Sequence, residues 1–381
     1  MKKKVLYVHH SGFLGGAPKS LTYLINKINR DYYQPIILTI KKGPAVKLLE
    51  STGAKVIINQ KMFPFHGSTV SGMSFKLFLK NILGAIPTYF SAKKEIKKAK
   101  PDIIHLNSTC LFMVAKAAKD VSKDIKVISH VREPLLETFA GSILRIMNKK
   151  YVDKFIAIDK FDSLTIDKKG ENVDIIYNFV DFNQYNASKQ DNSFREKLKI
   201  PKNKVVYLYS GRVVPGNGVL EMVTTFKNAS YRTNEIELVI AGFYFDNSEY
   251  EKQVIDTCKD TQNIHLLKFT DDVPTLIANS DVMIAPFREP HFSRSIIEAA
   301  AMKKPSIASN IGGPNELIIN EITGFLYSPN NYKELEKYII LISKNEKLRR
   351  EMGLKAEEFA KQNFDSDVNA KKTFEVYERI K

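Results

Sequence analysis

Cysteine is scarce in this 381-residue chain: only Cys110 and Cys258 occur, far apart and in no metal-binding pattern. A disulfide scaffold and a structural zinc site are therefore excluded, and the usage fits a reducing cytosol. Long apolar runs are also lacking. No stretch approaches the roughly 20 apolar residues needed to cross a bilayer, so an integral membrane protein is not expected. The start, MKKKVLYVHHSG, holds only the short apolar run VLYV before His9 and His10, too short for a signal-peptide core, and reads as a first strand. A GxGxxG dinucleotide fingerprint is missing as well.

What is present describes a globular protein, with 44% hydrophobic and 26% charged residues. Its length suits two α/β domains rather than one core. The net charge of +16 is unevenly placed: residues 1–185 carry 30 Lys and Arg against 15 Asp and Glu, and the remainder 28 against 27. A basic half points to an anionic partner, either nucleic acid or an anionic membrane surface. Nucleic acid is not expected, because aromatics are not clustered among the lysines and no helix-turn-helix or RNA-sheet signature occurs.

Along the chain, strand-like and helix-like segments alternate, which predicts parallel sheets. KKVLYV leads through HHSGFLGGAP into the helix SLTYLINKI, and Gly15 and Gly16 let the backbone approach a ligand there; a tight structural turn is the competing account. From Ser74 to Lys100, apolar and basic residues mix at helical spacing, with a break expected near Gly84 and Pro87. The first half, with Phe75, Phe78, Leu79 and Ile82, is expected to pack on the sheet, and the lysine-rich end to offer contact with anionic lipid. His130 ends the strand KVISHV, with Arg132 and Glu133 beyond it, where ligands of open α/β sheets collect. Residues 182–203, polar and poor in apolar types, read as a linker. A second series then begins with the anion-loop candidate GRVVPGNG, in which Arg212 offers a fork of donors and Gly216 and Gly218 shape the turn.

The stretch from Ala285 to Ser309 reads as a strand end, a polar loop, a helix from Ser293 and another strand. Ser293 is placed to cap that helix, its free amides and Arg294 favour an anion, and Glu298 lies just over one turn in.

SGRVVPGNG, the EP…SRSIIEA helix, SNIGGPNELI, TGFLYSP, IYNFVD and GGAPKSL together resemble, in order, the retaining glycosyltransferases of the GT-B class, family four, also called glycosyl transferases group 1. The resemblance covers almost the whole chain. It implies an α/β fold of two Rossmann-like domains facing across a cleft: an acceptor domain over 1–185, a nucleotide-sugar domain over 186–362, and a last helix over 363–381 that crosses back. It also implies metal-independent transfer without a cofactor, a nucleotide-diphosphate sugar as donor, and a saccharide or polyprenyl-linked acceptor. The place of action implied is cytoplasmic, peripheral on the inner membrane face.

Carried over residue by residue, Arg212 contacts the diphosphate, Glu298 the ribose hydroxyls, Gly15 and Gly16 the phosphates and acceptor, and His130 the sugar. The sequence departs from the family at two places. Asn217 stands where lysine is usual, and Pro290 stands where the first acid of Glu-x7-Glu is expected, with Glu289 one residue early. Either Glu289 or His291 is then left to meet the sugar. Arg212 and the Ser293–Arg294 helix start are expected to stabilise the leaving diphosphate, with His130 positioning the sugar rather than acting as general base. A sugar-nucleotide epimerase or phosphorylase of the same fold, or a non-catalytic pseudoglycosyltransferase subunit, is the alternative.

Overall fold

The structure, a computed structural model, describes residues 2–69, 72–191, 193–246 and 248–380. The chain divides into two compact units, one running to Asn178 and taking up the chain again from Ser366, the other Phe179–Asp365; the divisions expected from sequence lay at 185/186 and 362/363.

Among the described residues, the first unit carries a seven-stranded sheet of β1 (Lys3–His9), β2 (Tyr33–Thr39), β3 (Lys55–Ile58), β4 (Ile103–Leu106), β5 (Lys126–Val131), β6 (Lys154–Ala157) and β7 (Val173–Ile175). The order is β3-β2-β1-β4-β5-β6-β7, and every pairing is parallel. Runs such as VLYV in β1 and IIHL in β4 are buried throughout, as strands covered by helices on both faces must be. The sheet reverses direction between β1 and β4, and the loops after those two strands open the crevice where such folds bind ligands.

The second unit repeats the plan with β8 (Val205–Ser210), β9 (Ile236–Phe243), β10 (Ile264–Lys268), β11 (Val282–Ala285), β12 (Ser306–Ser309) and β13 (Gly324–Tyr327). Its order, β10-β9-β8-β11-β12-β13, is again wholly parallel. Here the reversal lies between β8 and β11, so the loops after Ser210 and Ala285 are the corresponding ligand-binding ends. Two Rossmann-like α/β halves in one chain are the GT-B plan expected from the sequence.

Two expectations are corrected. Residues 182–203 are not a free linker: in the second unit Arg195 donates to the Asn279 carbonyl (2.8 Å) and pairs with Asp281 (2.8 Å). The segment Ser74–Lys100 is not broken: Phe75–Ala99 is one continuous helix containing Pro87. Of the apolar residues expected to pack, Phe75, Leu79 and Ile82 are exposed and Phe78 alone is partly buried against the core. The helix's buried positions are Asn81, Gly84, Thr88, Ala92 and Ile96. Asn81 bonds both the amide and the carbonyl of His66 (2.9 and 2.7 Å). A Cβ at Gly84 would stand 2.8 Å from that of Phe63. Thr88 accepts the Phe63 amide and donates to the Gly84 carbonyl, one turn back. Close approach and backbone hydrogen bonds seat this helix, so the Pro87 ring and the long side chains are free to face outward.

The final helix, Ser366–Arg379, belongs to the first unit. Asn369 donates to the Tyr177 carbonyl (3.2 Å), Arg379 pairs with Asp174 (2.6 Å) and Lys27 with Asp367 (2.7 Å).

Candidate active site

In the first unit, the residues at the C-terminal ends of β1, β4 and β5 form one buried polar network. Asn107, just past β4, donates to His9 Nδ1 (3.0 Å) and to the Ala17 carbonyl (3.1 Å), while its oxygen accepts Arg132 Nε (2.9 Å). Arg132 also donates to Asn178 Oδ1 (2.9 Å) and, at 3.4 Å, to His130 Nδ1. Glu133 accepts the Ser68 hydroxyl (2.5 Å). His9 Nε2 and His10 Nδ1 are buried with no partner among the described residues.

His130, whose part is to meet the sugar in the family resemblance, has a support that sequence reasoning missed. His105 Nε2 lies 2.6 Å from His130 Nδ1, and His105 Nδ1 lies 2.5 Å from the hydroxyl of Tyr377 in the final helix. Arg132 can only donate, so His130 Nδ1 is an acceptor. His105 therefore carries its proton on Nε2, its bare Nδ1 accepts Tyr377 O–H, and a neutral His130 keeps its proton on Nε2. Neutrality follows from the surroundings. Burial, then Arg132, then His105 hold His130 well below the ordinary histidine range, and burial with Arg132 pushes His105 down to about 3. His130 is thus a hydrogen-bond donor and a poor base at neutral pH.

Gly15 precedes the helix Gly16–Asn26, and a Cβ there would meet nothing within 4 Å. Its extended φ of 169° suits any residue, so the chain's own packing does not demand glycine at that position. The amides of Gly16 and Ala17 head the helix, a ready anion site.

In the second unit three loops interlock: 211–218 after β8, 286–293 after β11, and 310–313 after β12. A Cβ at Gly218, whose φ is 68°, would sit 2.0 Å from the Pro286 carbonyl oxygen, and one at Gly312 would sit 2.7 Å from Pro290 Cβ. Glycine is obligatory at both. Gly216 lies against the Glu289 carboxylate, and its carbonyl accepts the amides of Arg288 and Glu289.

Arg212 is exposed, and its guanidinium has no hydrogen-bond or ion-pair partner among the described residues. Asn217, which stands where the family usually has lysine, is bonded within its own loop. Its amide donates to the Arg212 carbonyl (2.8 Å) and the Tyr209 hydroxyl (3.1 Å), and that hydroxyl also bonds the Arg212 carbonyl (2.7 Å). Both donors of Asn217 are taken up in bracing Arg212 from behind.

His291 donates from Nδ1 to the Glu289 carbonyl (3.1 Å), and its ring stands edge-on to Phe287 at 4.0 Å. Burial pushes its pKa down to about 4, against the opposing effect of the Glu289 bond and with help from Arg212. Neutral, with its proton on Nδ1, it presents Nε2 as an acceptor. Glu289 is exposed on the neighbouring turn.

The helix Arg294–Ala301 begins as expected, but Ser293 makes no side-chain cap bond. Its hydroxyl is 3.0 Å from that of Ser295. Arg294 is not a free charge either. Nε is 3.1 Å from Glu298 Oε1, and Nη2 donates to the Phe179 carbonyl (3.2 Å). Glu298 is buried and Arg294 largely so, so the structure makes Arg294 the holder of Glu298.

A cavity of about 610 Å³ lined by Lys3, Lys97, Asp102, Lys126 and Tyr377 opens at the N-terminal strand ends of the first sheet, at the opposite end from the loops after β1, β4 and β5. Fold chemistry places ligands at the other end. Asn107, His105 and Tyr377 were missed from sequence; HLNS carried the only signal, a polar pair directly after a buried strand.

Residues 190–359 match the family model described as glycosyl transferases group 1. The chain is 23% identical over 338 residues to a capsular polysaccharide biosynthesis glycosyltransferase, CapM, of Staphylococcus aureus, covering 82% of this chain and 88% of that protein. It is 23% identical over 391 residues to the N,N'-diacetylbacillosaminyl-diphospho-undecaprenol alpha-1,3-N-acetylgalactosaminyltransferase of Campylobacter jejuni, covering 97% and 98%. In fold it is similar to Anabaena Alr3699/HepE, solved in complex with UDP and glucose, at a TM-score of 0.84 and 21% identity over 99% of this chain and 100% of that one.

Proposed function

The chain is a group 1 glycosyltransferase of the GT-B fold, and from that premise we propose that it moves a sugar, with retention, from a nucleotide-diphosphate sugar to a saccharide acceptor on a lipid carrier. The assembly of surface polysaccharide or lipid-linked glycan is the setting. CapM and the Campylobacter enzyme carry such roles in their names. The observation that carries the reading is Arg212: an unpaired guanidinium at the ligand end of β8, braced through its backbone by Asn217 and Tyr209 and bordered by interlocked glycine loops.

In this reading the second unit holds the donor. Arg212 meets the diphosphate, and Glu298, oriented by Arg294, meets the ribose hydroxyls. His291 Nε2 accepts from a sugar hydroxyl. The bond between the anomeric carbon and the diphosphate oxygen breaks, and its electron pair leaves with the nucleoside diphosphate. The acceptor oxygen bonds the same face of the anomeric carbon and gives its proton to the departing phosphate oxygen. The leaving charge is the main demand, and preorganised donors meet it best. His130, neutral and with Nε2–H outward from its support, orients the sugar, and Gly15–Gly16 leave backbone amides open to phosphate or acceptor.

Transfer needs no metal or cofactor in this scheme, so a chelator should leave turnover unchanged. The basic first unit, as a peripheral surface at the inner membrane face, keeps the protein beside its acceptor; no described helix is long and apolar enough to cross a membrane. The direct test is a thermal-shift screen against nucleotide-diphosphate sugars, followed by product analysis with and without a lipid-linked acceptor. A donor that stabilises the protein and yields a glycoside only with acceptor is expected. Epimerised donor as the sole product, or no donor binding, would replace the proposal with its rivals.

A further inference from the structure

The continuous helix Phe75–Ala99 turns its large apolar side chains to solvent. Phe75, Leu79, Ile82, Leu83, Ile86 and Phe90 are 45–83% exposed, and at 100° per residue they fall within a stripe about 100° wide. The buried positions of the same helix lie on the opposite side, where small or polar groups seat it against residues 63–66. The helix Phe139–Tyr151 joins this surface. The Phe139 ring (73% exposed) lies 5.8 Å from that of Phe78, tilted by 60°, and Ile146, two turns along, is 66% exposed. A contiguous apolar patch of this kind on a water-facing surface marks an interaction site.

Charge says what covers it. Lys76, Lys80, Lys94 and Lys98 border the stripe on one side, and Lys93 and Lys97 continue it through the last turns. The one acid of the helix, Glu95, accepts from Asn59 instead (3.1 Å). The second helix has Arg145, Lys149 and Lys150 and no acid of its own; Arg145 pairs with Glu137 and Lys149 with Asp167 (2.8 Å each), so Lys150 is the cation it adds to the border. An apolar stripe with a cationic border matches the hydrocarbon and headgroup layers of an anionic bilayer, whereas a folded protein partner would need acids to match the lysines and a flat apolar ridge besides.

We infer that this two-helix face is a membrane-insertion surface. The Phe75–Ala99 helix lies in the plane of an anionic bilayer, with its apolar stripe in the acyl-chain boundary and its lysines among the phosphates. The inference deepens the membrane side of the proposed function and rests on it for biological meaning. The lysine-rich end alone was the expected contact; the structure adds the first half of the helix as the part that inserts.

The chain contains no tryptophan, so Ile86→Trp places a single reporter in the stripe. With vesicles of phosphatidylethanolamine and phosphatidylglycerol, its emission should shift to the blue. Brominated acyl chains should quench it, and aqueous iodide should lose access. Leu83→Glu with Ile86→Glu should lower the vesicle-bound fraction at least tenfold, with thermal midpoint and transfer to a water-soluble acceptor unchanged. Lys94→Gln with Lys98→Gln should weaken binding chiefly at low salt. An indole that stays accessible to iodide in the presence of vesicles would overturn the inference. So would a blue shift that appears without lipid and grows with protein concentration, which would assign the face to a second copy of the chain. Intact vesicle binding in a protein that binds no nucleotide sugar would instead sink the transferase reading alone.

Discussion

His105 Nε2 stands 2.6 Å from His130 Nδ1, and through His105 the hydroxyl of Tyr377, 2.5 Å away, reaches the residue proposed to orient the sugar. Arg132 fixes His130 Nδ1 as an acceptor, and the Tyr377 hydroxyl, donating to the bare nitrogen of His105, holds the pair in that arrangement. Tyr377→Phe leaves His105 Nδ1 buried without a donor and loosens the support of His130. Turnover is expected to fall about fivefold, on the scale of one lost hydrogen bond, with donor affinity unchanged. Imidazole nitrogen shifts in NMR should show His130 protonated at Nε2 in the wild type and in the variant. His130→Ala should likewise reduce turnover more than binding. Normal turnover in either variant would remove the role.

Acid sensitivity follows from the same burial. His105 and His291 have folded-state pKa values lowered to about 3 and about 4, against about 6.5 unfolded. Below pH 6.5 the unfolded chain takes up protons that the folded chain refuses, so stability is complete above that pH and falls as pH drops toward 4. Each such group contributes a slope approaching about 1.4 kcal/mol per pH unit. Urea midpoints measured from pH 7 to pH 5 should decrease steadily. The pH–rate profile should show no step near 6.5 from His130, whose pKa is also held far below it.

Arg294 and Arg212 should separate by phenotype. Arg294→Ala leaves Glu298 buried without its charge partner, at a cost of about 3–5 kcal/mol, so the thermal midpoint should drop along with donor affinity. Arg212→Ala removes an exposed, unpaired guanidinium, so donor affinity measured by calorimetry should fall at least tenfold with the midpoint unchanged. Glu298→Ala should also weaken donor binding. Unchanged affinity in both Arg212→Ala and Glu298→Ala would dismantle the donor site.

Asn217 is predicted to act through Arg212. Asn217→Ala breaks two hydrogen bonds of a neutral brace, each of about 1 kcal/mol, and should weaken donor binding by about five- to thirtyfold through a loosened loop. Asn217→Lys, which restores the residue usual in the family, cannot re-form both bonds. A gain in affinity from that substitution would show that position 217 meets the diphosphate directly.

The strand sequence, the two-unit plan and the places of Arg212, His130, Glu298 and the glycine loops were all readable from residues alone. The reason is that they rest on local rules: buried β-branched runs make parallel strands, and glycine or polar residues directly after them make ligand loops. Composition likewise placed the positive charge in the first half. Tertiary structure alone decided what each polar group is bonded to. Sequence shows Asn217 as a donor and Arg294 as a charge, but only packing reveals that the first faces its own loop and the second is held by Glu298. It also joined Tyr377 to His105 across 272 positions, a distance no periodicity can bridge. Most consequentially, helical spacing could mark the apolar stripe of Phe75–Ala99 but not its direction. That was settled when Asn81, Gly84 and Thr88 took the inner face, since a helix has only one side to give to the core.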